Sequence, residues 1–176
     1  MLGKKIDLMQ ENFMTGLGLP VSRAMLVPEI MRYMSEEPQR HYNIVVGSDS
    51  ELLHDKSADF VTAIVVHRVG SGGRYFWRRL EREHFHTLRA RIIEEVLLSI
   101  NVAKEVLEEL RAEGAAAKER GEAPLDWDFE IHADVGENGE TKVMIQEVVG
   151  MIRANNFEAK TKPFSYAASK VADRHV

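Results

Sequence analysis

The stretch YNIVVGSDSE, Tyr42–Glu51, decides how this chain is read. The apolar run Ile44 to Val46 has the character of a strand set deep in a sheet. The chain then passes through Gly47 and Ser48 directly to Asp49. A carboxylate at the end of a core strand needs hydrogen bonds, a cationic partner or a metal. EIHADVG, Glu130–Gly136, repeats the arrangement: an apolar strand, Asp134, one residue and a glycine.

The segments around these strands set the fold class. FVTAIVVHRV, Phe60–Val69, reads as a second strand, and the glycine turn Gly70–Gly73 leads into a third from Arg74, whose later charges suit a sheet edge. Leu88, Ile92, Val96, Ile100, Ala103, Leu107 and Leu110 recur at helical spacing, with Thr87 as the candidate N-cap. Downstream, DWDFEIHADVG predicts a strand, TKVMIQEVVGMIRANN a helix, FEAKTKPF a short strand and SYAASKVADRHV a terminal helix. Helix-separated strands lie parallel by right-handed crossover, so the strand ending at Asp134 belongs beside the one ending at Asp49. A crevice opens at such a switch of strand order. The expected architecture is α/β: a mixed five-stranded sheet flanked by helices, over residues 42–176. Residues 1–41 are read as a loosely attached helical extension, with TGLGLPVS a loop and Pro28 near a helix start.

Composition narrows the class without naming a function. An apolar share of 44% over 176 residues suits one globular domain. The net charge of −5 argues against a protein that coats nucleic acid non-specifically. No apolar run approaches a membrane span, the N-terminus lacks the pattern of a secretory signal, and cysteine is absent. A cytoplasmic location without membrane partners is expected, and any metal must be held by oxygen or imidazole.

Two further acids are candidates. Counting 100° per residue, Glu95 borders the apolar stripe of the long helix, whereas Glu94 points away. The competing role for Glu95 is pairing with Arg91 on the preceding turn. Asp173 lies in the terminal segment, where the alternative is a solvated residue paired with Arg174. For Asp49 and Asp134 the alternative is capping of the turns that follow them. If the two aspartates are neighbours, their repulsion calls for a proton or a cation, and a hard divalent cation is the economical answer.

NIVVGSDSE, IHADVGENGETKVMIQEVVG and KTKPFSYAASKVADRH together resemble the ribonuclease H-like superfamily, and within it the bacterial YkuK-type family of predicted nucleases. The likeness runs over roughly residues 20 to 176. It implies that Asp49, Glu95, Asp134 and Asp173 form an acidic set holding Mg²⁺ or Mn²⁺ for phosphodiester hydrolysis of nucleic acid. The chain departs from the family pattern in GSDS, where a threonine often precedes the aspartate, and at Phe164, where a second acid is common. Lys142, Lys162 and Lys170 are candidate contacts to the scissile strand, against the plainer reading of solvated lysines. The rival to a nuclease is a non-catalytic module on the same scaffold that binds nucleic acid or protein. There the Met-rich N-terminal helix would serve a partner or a homo-oligomer.

Other signals carry less. His84 and His86 would share one face of a strand, but no third ligand is in sight. His132, on the side of its strand that bears Asp134, is read either as a proton shuttle or as a satisfied core histidine. Tyr75, Phe76 and Trp77 are read as packing residues before a base-stacking platform.

Overall fold

A computed structural model describes residues 12–176. Seven strands form one sheet: β1 (Phe13–Thr15), β2 (Pro20–Val21), β3 (His41–Leu52), β4 (Ala58–Arg68), β5 (Gly73–Arg82), β6 (Asp126–His132) and β7 (Glu158–Lys160), in the order β2-β1-β5-β4-β3-β6-β7. β3–β6 and β6–β7 are parallel and the other pairs antiparallel. Among the described residues three α-helices accompany it: α1 (Arg23–Ser35), α2 (Leu88–Glu119) and α3 (Ile145–Ala154).

All three helices lie on one face, because the strands present their largest apolar side chains there. Tyr42, Ile44 and Val46 of β3, Ile64 and Val66 of β4 and Ile131 of β6 share one core cluster with Leu26 and Ile30 of α1, Ile92, Val96, Val106 and Leu110 of α2, and Val148 and Ile152 of α3. Strand alternation sends Val45, Gly47 and Asp49 to the opposite face. On that face Val61 and Ala63 pack against Val171 and Ala172 from the chain's end, flanked by Val65, Tyr75 and Trp77. Thr87 caps α2 as its spacing predicts, its side chain accepting from the Ala90 N–H at 3.1 Å. Among the described residues no helix is long and apolar enough to cross a membrane.

Several expectations need correction. The sheet has seven strands rather than five, because TGLGLPVS is the turn and second strand of a hairpin. Thr15 Oγ1 accepts from the Leu19 N–H at 3.1 Å, and Gly18 takes φ +77, open to glycine without strain. Gly16 lies flat on the Tyr75 ring, where a Cβ would stand 2.8 Å from Cε1. β5 is therefore only partly an edge, since Met14 and Thr15 pair with Trp77 and Phe76. Strands this short leave no alternation to detect.

The N-terminal helix is not loosely attached over the described part, and Pro28 lies inside it rather than at its start. Leu26 and Ile30 are fully buried. Beyond the helix end, the Tyr42 hydroxyl donates to the Met34 and Glu37 carbonyls, both at 3.1 Å, and accepts from Arg68 Nε at 3.1 Å. The first eleven residues of the expected helical extension lie outside the described residues. The last correction concerns the predicted terminal helix, which is a π-helical turn, Ala167–Val171, followed by a 3-10 turn, Ala172–Arg174. Its backbone follows the sheet face because it is held at both ends, as described below.

Ile30→Ala tests how firmly α1 belongs to the core. A buried isoleucine truncated beside an unyielding sheet loses about 2–5 kcal/mol. Urea denaturation should show that loss as a lower midpoint at an unchanged slope. A loss under about 1 kcal/mol would mean that the helix is an appendage.

Candidate functional site

β3 and β6 run in register from His41 opposite Asp126 to Gly47 opposite His132. Continued by two residues, that register sets Asp49 and Asp134 side by side at the carboxyl ends of parallel strands, on the face away from the helices. The Asp49 carboxyl is pushed up to about 6, first by burial and then by the charges of Asp134 and Asp173, while the Ser50 N–H and Lys162 oppose the rise. The Ser50 N–H donates to Asp49 Oδ1 at 2.9 Å. Asp134 Oδ1 is buried without an aligned hydrogen-bond donor, and the Lys162 ammonium lies 3.0 Å from it.

Glu95 arrives from the helix side. It is buried, while Glu94 is partly exposed with Arg82 Nε 3.8 Å away, so the helical count separates the adjacent glutamates correctly. Burial pushes the Glu95 carboxyl up to about 8; Asp49 and Asp134 add to the rise, and the Ser50 hydroxyl and Arg91 oppose it. Ser50 Oγ donates to Glu95 Oε1 at 2.6 Å. Arg91 Nη1 reaches the Ser50 carbonyl at 3.0 Å and its hydroxyl at 3.2 Å. Arg91 thus joins Glu95 to the end of β3 through Ser50. One turn along α2, Ser99 donates to the Glu95 carbonyl at 2.9 Å and meets Ser48 at 2.8 Å, which in turn meets Thr62 at 2.9 Å.

Asp173 stands on the 3-10 turn at the chain's end, exposed and close enough for its charge to act on Asp49. The structure therefore brings the four acids to one end of the sheet from four elements. Their only donor atoms are oxygens, the set a hard divalent cation takes. Among the described residues, no three His, Asp or Glu side chains stand close enough to hold a metal ion as placed. Ser50 engages both Asp49 and Glu95, and Lys162 supplies countercharge at Asp134.

The candidate lysines divide. Lys162, itself exposed, touches Asp134, whereas Lys142, in a 3-10 turn, and Lys170 are exposed with no ion pair to the four acids. Ser50 was absent from the residues singled out by sequence, and Arg91 entered only as the alternative partner of Glu95; it hydrogen-bonds Ser50, which in turn bonds Glu95. A signal for Ser50 existed, since it alternates with Asp49 and must therefore face the helix bearing Glu95. His84 and His86 follow the end of β5, both exposed, and His84 takes φ +70, so they share no strand face. His132 is a satisfied core histidine: Nε2 is 2.8 Å from Glu130 Oε1, and Nδ1 accepts from the Tyr166 N–H at 2.9 Å.

The raised acids make stability depend on pH. The folded chain holds the Glu95 proton more tightly than the unfolded chain does, so this group favours folding at acid pH. That contribution is lost as pH climbs from 4.5 towards about 8, and Asp49 adds a loss of the same sign between 3.8 and about 6. Glu95→Gln removes the larger dependence. In the presence of chelator, its melting temperature should exceed that of the wild type at pH 8.5 by more than at pH 5, each kcal/mol being worth about 2–4 °C. Parallel pH profiles for the two proteins would contradict the burial of Glu95 among acids.

The family model described as Ribonuclease H-like matches residues 25–176. The chain is also 32% identical over 155 residues to the uncharacterized protein YkuK of Bacillus subtilis (strain 168), covering 85% of this chain and 87% of that one. With the acid-ended parallel strands and the two matches pointing the same way, the chain belongs to the ribonuclease H-like family, among relatives of the YkuK type.

Proposed function

We propose that this protein is a divalent-metal-dependent nuclease, with Asp49, Glu95, Asp134 and Asp173 holding Mg²⁺ or Mn²⁺. The observation that carries the reading is the parallel register of β3 and β6, which continued two residues sets Asp49 beside Asp134, with Asp173 near enough for its charge to act on Asp49. Carboxylates crowded in this way repel one another, and a bound cation relieves that repulsion. The fit rests on oxygen-only donors and on Asp134 Oδ1, buried without an aligned donor. When bound, a pair of such ions would activate water and stabilise the leaving 3′ oxygen of a phosphodiester.

The chain's own residues have separable parts in this reading. Asp49 and Asp134 supply the central ligands from rigid strand ends. Ser50 and Arg91 fix the rotamer of Glu95 and keep its carboxyl at the sheet edge. Lys162 holds countercharge at Asp134 and can turn to a phosphate oxygen when a cation takes its place. Lys142 and Lys170 offer exposed positive charge to the nucleic-acid backbone.

A second reading has its own observation. Lys162 already stands against Asp134, and among the described residues no three His, Asp or Glu side chains converge as placed. Both suit a scaffold that binds nucleic acid or protein without turnover. Titration of Mn²⁺ by calorimetry, followed by a cleavage screen on labelled single- and double-stranded DNA and RNA, separates the two. The nuclease reading expects binding weakened about 10-fold or more by Asp49→Asn and by Asp134→Asn, and metal-dependent cleavage that Asp49→Asn abolishes. Metal binding without cleavage of any substrate would establish the module instead. Binding unchanged in both variants would remove the shared site.

A further inference from the structure

We infer that His132 is a positioning residue, which sets Asp173 by clamping the backbone of the arm that carries it. The inference rests on the acid set proposed above. The His132 side chain is fully buried, and both ring nitrogens are committed. Nδ1 lies 2.9 Å from the Tyr166 amide nitrogen and 3.4 Å from that of Ala167. Two N–H donors on one nitrogen require a lone pair there. The proton must therefore sit on Nε2, which donates to Glu130 Oε1 at 2.8 Å. Glu130 is fixed in turn by Lys160, whose Nζ lies 3.2 Å from Oε2. The Tyr166 ring stands edge-on to the imidazole, with centroids 4.6 Å apart at 87°.

The position of this clamp gives it consequence. His132 stands opposite Gly47, which carries no side chain on that face, so the arm can lie close to the sheet there. From Ala167 the arm runs through Val171 and Ala172, buried against Val61 and Ala63, to Asp173. Its far end is held by the His175 ring stacked on Trp77, with centroids 4.0 Å apart, and by the Arg79 guanidinium donating to the His175 carbonyl. Short π and 3-10 turns have little rigidity of their own, so anchors on either side decide where Asp173 lies. His132, the last residue of β6 and two places before Asp134, thus places Asp173 near Asp49.

Two near-isosteric variants separate positioning from bulk. His132→Asn keeps an acceptor near Nδ1, whereas His132→Gln keeps a donor towards Glu130 and loses that acceptor. Mn²⁺ affinity is read by calorimetry on folded protein. His132→Gln should weaken binding about as much as Asp173→Asn, by roughly 10–100-fold as for other residues that orient a ligand. The double variant should be no weaker than either single one, because both remove the same contribution. His132→Asn should bind within a few-fold of wild type.

Wild-type affinity in folded His132→Gln, with Asp173→Asn weakened, would overturn the inference and leave the acid set standing. Unchanged binding in Asp173→Asn itself would strike that residue from the acid set and the inference with it. Amide exchange in the wild type gives a readout independent of variant folding. The Tyr166 and Ala167 amides should exchange as slowly as those of β6, and fast exchange at both would refute the clamp.

Discussion

The parallel pairing of β3 with β6 is the constraint on which the site depends. The register that sets Gly47 opposite His132, continued two residues beyond the end of β6, brings Asp134 beside Asp49 of β3. Their mutual repulsion is then a consequence of the strand pairing. The other parts of the site answer it. Lys162 stands against Asp134, the Ser50 N–H bonds Asp49, and Ser50 with Arg91 receives Glu95 from the helix side. A sheet that kept these strands but slipped their register by one residue would send one aspartate into the core.

The one-sided placement of the helices follows from the same strands. β3 puts Tyr42, Ile44 and Val46 towards the helices and Val45, Gly47 and Asp49 towards the other face. Three helices cover the first face. Among the described residues the second receives the chain's end, whose turns bury Val171 and Ala172 and bring Asp173 close to Asp49. Buried and crowded carboxylates are costly to fold around, and that cost falls where the strands end and the chain's own cation, Lys162, is at hand. Concentrated electrostatic strain of this kind marks functional sites more often than structural ones.

Much of this was legible in the sequence because the decisive signals are local. Apolar runs ending in Asp49 and Asp134 give strand and acid together, and a helical wheel is enough to prefer Glu95 over Glu94. The helix-separated strand order implies the parallel pairing. What escaped lacks a local signature. The hairpin at residues 13–21 consists of strands of three residues or fewer around a glycine turn, and it resembles a loop until its partner, β5, is known. The terminal segment has a helix-like composition, yet anchors distant in sequence, His132, Trp77 and Arg79, draw it into turns along the sheet. Pro28 suggests a helix start, but tertiary burial of Leu26 and Ile30 carries α1 back to Arg23. The His132 clamp depends on a contact 34 residues away, which periodicity cannot reveal.

Anomalous diffraction from a crystal of the full chain soaked in Mn²⁺ addresses the central claim most directly. The account predicts a peak between the Asp49 and Asp134 carboxylates, with Lys162 turned away from Asp134. Manganese bound only elsewhere, or the Lys162–Asp134 contact intact at saturating Mn²⁺ with no peak beside it, would contradict it.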